Sequence, residues 1–173
     1  MEDPIPGRPA DSEVAPWALN YANGVEGDDV IHSLTTQRDH LIGILARLDG
    51  AFRYAPGKWT VNEVLGHVTD AERIFSYRTL CVARGEQGLL PPFEQDDYMA
   101  NVDFNARSLS DITAEFEAVR DASIRLLRSF APKVWMNRGT VSGYSVTTRG
   151  LAFVLAGHEK HHTRILREKY ILT

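Results

Sequence analysis

The stretch Thr60-Val61-Asn62-Glu63-Val64-Leu65-Gly66-His67-Val68-Thr69-Asp70-Ala71-Glu72-Arg73-Ile74-Phe75 decides the fold class. Pro56 and Gly57 break the chain just before it. Thr60 and Glu63 stand in capping-box spacing, so each side chain can satisfy a backbone N–H of the other at a helix start. Val61, Val64, Leu65, Val68, Ala71, Phe75 and Leu80 then recur at helical spacing, which predicts a helix running to about Gly85. Its apolar face carries His67, between Val64 and Ala71.

Three further helices follow from the same pattern. Upstream, Asp28 or Asp29 can cap a helix whose apolar positions Val30, Leu34, Leu41, Leu45 and Leu48 lead to a stop at Gly50. Downstream, Ser108 or Ser110 can cap one carrying Leu109, Ile112, Phe116, Val119, Ile124, Leu126, Leu127 and Phe130, which stops at Pro132. A last helix from about Thr147 carries Leu151, Val154, Leu155, His158, His162, Ile165, Leu166 and Lys169. With no convincing alternating strand, the expected architecture is all-α, an antiparallel four-helix bundle in which each apolar stripe is covered by its neighbours. Residues 1–27, rich in Pro, Gly and acidic side chains but carrying Val14, Trp17, Leu19 and Tyr21, read as an arm laid over a bundle of residues 28–173. Residues 86–107 have no sustained period and are the candidate lid. Residues 135–145 read as a Gly-punctuated connection with room for a short hairpin.

Composition narrows the function classes. At 173 residues one domain is expected, and 43% hydrophobic with 24% charged residues is a folding composition rather than a disordered one. A net charge of -4 and a pI near 5.8 offer no basic footprint for nucleic acid. No apolar run approaches the roughly 20 residues of a membrane span, and no secretory signal is visible, so a cytoplasmic location is expected. Cys81 is the only cysteine, which excludes an intrachain disulfide and a cysteine-rich metal site. Its helical context with Tyr77 and Leu80 favours a buried structural thiol over a nucleophile.

Gly157-His158-Glu159-Lys160-His161-His162 is the sharpest chemical feature. Residues four apart on a helix differ by about 40° in azimuth and about 6 Å in height, so His158 and His162 can face one ion, whereas His161 lies about 60° to the other side. Two ligands hold an ion weakly, and His67 is the evident third. Taken singly, each histidine reads as an ordinary core or surface side chain. Jointly, three imidazoles facing one core are costly to desolvate without a shared partner, and a divalent ion supplies it. His32 and His40 read as ordinary. His158-Glu159-Lys160-His161-His162 also satisfies the HExxH pattern, in which Glu159 would be the general base of a hydrolase.

These residues carry a resemblance. Gly57-Lys58-Trp59-Thr60-Val61-Asn62-Glu63-Val64-Leu65-Gly66-His67 with Asp70, Glu72, Arg73 and Arg78, the loop Phe93-Glu94-Gln95-Asp96-Asp97-Tyr98, and the closing Gly157-to-His162 segment resemble the DinB-like family of damage-inducible proteins over nearly the whole chain. The resemblance implies a four-helix bundle whose zinc or nickel is held by His67, His158 and His162, and commonly a homodimer. Relatives with known activity, the bacillithiol transferases and mycothiol-dependent maleylpyruvate isomerase, use a low-molecular-weight thiol. It therefore implies thiol-dependent transferase chemistry on a small-molecule substrate. Hydrolysis and a structural metal in a non-catalytic stress-response protein stand as alternatives.

Around this centre several side chains have two readings. Glu63 and Asp70 could orient a ligand imidazole or serve as a helix cap and a solvated charge. Glu72, Arg73 and Arg78 could form ion pairs along their helix, and Arg164 or Arg167 could meet an anionic cofactor's carboxylates. Trp59 and Trp135 read as packing residues rather than substrate platforms.

Overall fold

The computed structural model describes residues 7–171, so residues 1–6 of the expected arm and the last two of the bundle segment lie outside the described residues. Its elements are α1 (Leu19–Gly24), α2 (Val30–Leu45), α3 (Val61–Ala83), α4 (Gln95–Ala100), α5 (Leu109–Arg128) and α6 (Thr148–Ile165), with short strands β1 (Leu89–Leu90), β2 (Arg138–Val141) and β3 (Tyr144–Thr147). The four long helices form the bundle that the sequence pattern predicts.

Each starts at the cap read from the sequence. Asp29 accepts from the N–H groups of Ile31 and His32, both at 2.9 Å. Thr60 accepts from Glu63 N at 3.1 Å while Glu63 accepts from Thr60 N at 2.6 Å, completing the capping box. Ser108 caps α5 through Asp111 N, and Thr147 caps α6 through Gly150 N. The ends move inward from expectation. α2 stops at Leu45 rather than Gly50 because residues 46–52 turn back to satisfy the first turn of α3, whose Asn62 and Val61 N–H groups donate to Gly50 O and Phe52 O. α6 passes into a π-helical turn over Leu166–Tyr170.

Helices consecutive in sequence are not all neighbours in space. α3 packs on α5 and α6, and α2 also packs on α5 and α6, which sets α2 and α3 at opposite corners of the bundle. This arrangement places α3 beside α6, the two helices that carry the candidate ligands.

Two regions carry more structure than their sequences suggest. The expected connection at residues 135–145 contains the antiparallel hairpin β2–β3, and β1 from the loop after α3 adds to it in parallel, pairing Leu89 with Thr140 and Leu90 with Val141. The hairpin is the one the connection had room for, extended to Thr147, whereas β1 goes beyond the sequence reading. These strands are too short for an alternating pattern to stand out. The stretch 86–107 likewise contains β1, α4 and a 3-10 turn at Phe104–Ala106, and Phe104 seats its ring against Gly66, where any side chain would collide with it.

Residues 7–27 lie along α6. Ala18 and Ala22 pack into the same apolar cluster as Ala152, Phe153 and Ala156. Two glycines one heptad apart, Gly150 and Gly157, let the backbone of this segment approach: a Cβ at Gly150 would strike Glu13 O, and one at Gly157 would strike Tyr21 O. Buried Glu13 fixes the segment by accepting from Arg149 Nε at 2.7 Å and Thr147 Oγ1 at 2.9 Å. Among the described residues no helix is long and apolar enough to cross a membrane.

Candidate metal centre

α3 and α6 meet along their apolar faces and bring His67, His158 and His162 together. One ring nitrogen from each lies within 4.8 Å of the others. His67 Nε2 and His158 Nε2 approach at 3.2 Å, and the ring centroids stand 4.6–5.1 Å apart. Nitrogens bound at about 2.0–2.1 Å to a tetrahedral ion stand about 3.3–3.4 Å apart, so the observed approach fits a shared cation.

Electrostatics favour the same donor state. Burial lowers the His67 pKa to about 4, opposed in part by the negative charge of Asp96 on α4. Burial, with the neighbouring His67 and His161, lowers His158 to about 3. His162 is held well below the ordinary value by burial and by the other imidazoles. Near neutral pH all three are therefore uncharged and able to donate lone pairs. Three neutral imidazoles leave positions open for further ligands, as in catalytic sites built on three protein donors.

The walls are aromatic. Trp59 lies 5.0 Å from the His67 ring, so this residue of the helix start also borders the centre. Phe75 and Tyr21 each stand 5.4 Å from His158, edge to face. Tyr21 and Phe75 belong to one apolar cluster of the core and Trp59 to another, so the triad sits where the two meet. Tyr21 has no signal in the sequence that ties it to the triad, because α1 is too short for a period to register.

The remaining candidates divide. His161 leans on Tyr21 and on His162 but contributes no nitrogen to the cluster. Glu159 is fully buried on another side of α6, hydrogen-bonded by Thr163 Oγ1 and 3.7 Å from Arg120 Nη1 on α5. Arg120 in turn makes three bonds to Glu72 of α3 at 2.8–3.0 Å and donates to Leu34 O of α2. Glu72 thus pairs across the bundle rather than along its helix. Glu63 is the capping residue, and Asp70 pairs with Arg73 at 3.2 Å, which itself reaches Glu115 of α5. Arg78 donates to Pro91 O at 2.6 Å. Arg164 and Arg167 line a cleft of about 1110 Å³ between α1, α2 and α6, together with His32, His40 and His161. Cys81 is half-buried against the cluster of Val82, Leu90 and Val141, and Trp135 is a core residue that meets Phe130 edge to face.

Comparison with known proteins identifies the fold and the family. The chain matches a solved structure, YfiT from Bacillus subtilis, described as a probable metal-dependent hydrolase with an unusual four-helix bundle topology. That match has a TM-score of 0.73 at 16% identity and covers 94% of this chain and 91% of the other. No curated protein matches. The model of the DinB superfamily matches residues 33–166, a span that holds all three histidines and the helices presenting them, and the chain therefore belongs to the DinB superfamily.

Proposed function

We propose that His67, His158 and His162 hold one divalent metal ion, zinc or nickel, and that the protein is a metal-dependent enzyme transferring a low-molecular-weight thiol to a small-molecule electrophile. The observation that carries this reading is the convergence of three neutral imidazoles within 4.8 Å, those of His67 and His158 buried and that of His162 half-buried. A bound divalent ion supplies Lewis-acid charge that lowers the pKa of a thiol or water beside it. The chain's own residues set the rest of the chemistry. Three uncharged donors leave the ion's positive charge uncompensated, which favours an anionic partner such as a thiolate. Trp59, Phe75 and Tyr21 wall His67 and His158 from bulk water and orient their rings, while His162 keeps a half-buried edge.

Hydrolysis is the second reading, and the description of the Bacillus subtilis neighbour favours it. Glu159 is a poor base for it, since its carboxylate is engaged by Thr163 and Arg120. The reading includes a homodimer, a cytoplasmic location where such thiols stay reduced, and a division of the chain into an arm (1–27) and a bundle (28–173). A monomer by light scattering would remove the first of these.

The test is elemental analysis of untagged protein followed by thiol-addition assays. About one equivalent of zinc or nickel is expected, lost in His67→Ala, His158→Ala and His162→Ala and retained in Glu159→Gln. A folded native protein without metal refutes the site. Metal-loaded protein that accelerates no thiol addition across a panel of electrophiles refutes the transferase, and loss of an ester or amide hydrolysis activity in Glu159→Gln with metal retained favours the hydrolase.

A further inference from the structure

Among the described residues two arginines are buried, and they differ in one respect. Arg120, 0% exposed, is matched by the Glu72 carboxylate, with Glu159 nearby. Arg78, 3% exposed, has no carboxylate within ion-pair distance among the described residues. One of its five N–H donors is used, by Nη2 to the Pro91 carbonyl, and its guanidinium is flanked by the rings of Phe75 and Phe93 at 5.9 and 5.5 Å. Burying a cation carries a desolvation cost that cation–π contact with two phenyl rings offsets only in part. The burial of Arg78 accordingly lowers its pKa. The unused donors are not among the buried unpartnered atoms, so they still reach the surface, and a guanidinium so placed with no counter-charge is the arrangement expected where a ligand brings the anion.

Its position says which ligand. Arg78 and His67 are eleven residues apart on α3, so they share one face within about 20° and are separated by about 16 Å along the axis. Phe75 lies between them in sequence and touches both Arg78 and His158. The loop after α3 covers the same strip: Pro91 and Phe93 lie on Arg78, and Tyr98 packs on Phe93.

We propose that Arg78 anchors a carboxylate of the substrate, whose flat apolar body lies against Phe75 and Phe93 beneath residues 91–98, with its reactive end toward the three histidines. The proposal rests on the reading of the triad as a centre that acts on a small molecule. It assigns the substrate a class, an organic acid with an unsaturated or aromatic body, and it makes the segment 86–107 the cover that must lift to admit it. If Arg78 instead only clasps the loop, its replacement loosens the loop but no ligand responds to it.

Benzoate is the probe and benzamide its neutral isostere. Saturating benzoate is expected to raise the Tm of the native protein by about 3 °C or more, and benzamide to leave it unchanged. The benzoate shift should vanish in Arg78→Met and survive, reduced, in Arg78→Lys. Equal shifts with benzoate and benzamide, an undiminished shift in Arg78→Met, or a response to inorganic phosphate without one to benzoate overturns the proposal. Should Arg78→Met not fold, limited proteolysis of the native chain decides: benzoate should slow cleavage within residues 86–107 at least threefold, and no slowing overturns it. Both measurements are made with metal content recorded. A benzoate response in protein that binds no metal upholds the anchor while the metal reading fails, and bound metal without any benzoate response does the reverse.

Discussion

Replacing Gly157 by Ala tests whether residues 7–27 are an integral wall of the proposed metal centre. A methyl group at 157 would sit 1.9 Å from the Tyr21 carbonyl oxygen, and the Tyr21 backbone would have to retreat by 1.1 Å to reach even 3.0 Å. A backbone atom cannot rotate aside as a side chain can. Overpacking costs about 1–3 kcal/mol, and the upper part of that range applies here. Ala in place of Gly inside a helix returns about 1 kcal/mol through propensity. The net destabilisation is therefore about 1–2 kcal/mol, which lowers Tm by about 2–8 °C in a chain of this size. Because Tyr21 braces His158, metal affinity should fall in parallel, and protease should cut residues 7–27 faster. Thermal unfolding with and without chelator, beside limited proteolysis, reads all three effects. A variant as stable as the native protein, with that segment still protected, would refute the reasoning.

Further outcomes follow from charge and burial. Removing the guanidinium in Arg120→Met leaves Glu72 and Glu159 buried without a cation and should cost about 3–5 kcal/mol by urea unfolding, with part of the loss recovered when Glu72→Gln is added. Glu13, hydrogen-bonded by Arg149, has its pKa lowered from 4.5 to about 2; its contribution is present above pH 4.5 and is lost as pH falls toward 2, so acid sensitivity in that window should shrink in Glu13→Gln. The metal-free triad behaves as buried neutral bases. With His67 at about 4 and His158 at about 3, the unfolded chain takes up protons first, and the apo-protein should lose stability as pH drops from about 6.5 toward 3, a loss that His67→Ala reduces in acid denaturation curves.

What could be read from the sequence was local. Thr60 with Glu63, Asp29, Ser108 and Thr147 mark helix starts through bonds to residues two or three positions away, so each cap was visible in its own neighbourhood. The i, i+4 relation of His158 and His162 is fixed by helix geometry, and His67 announced itself by lying on an apolar face. What stayed hidden depends on how helices are arranged around the bundle. Glu159 and Arg120 meet only because α5 and α6 come within reach of each other across the core, and no pattern in either helix declares it. The placement of α2 and α3 at opposite corners follows from how residues 46–60 cross the end of the bundle, which the hydrophobic period does not encode. Tyr21 was missed for a related reason, although the heptad spacing of Gly150 and Gly157 on an otherwise well-covered helix was a usable sign that another backbone lies there.

The docking of residues 7–25 on α6 has a consequence for how the protein matures. During synthesis Val14, Ala18, Ala22 and Val25 emerge long before the helix that buries them, and so does His67 before its two partners. Until Thr148–Ile165 has left the ribosome, the nascent chain exposes an apolar strip and an incomplete set of ligands. One late event then covers the strip and gathers the imidazoles. An ion held as proposed by the triad would thereby report completed folding, since a chain interrupted anywhere before His158 has neither the cover nor the full set of imidazoles.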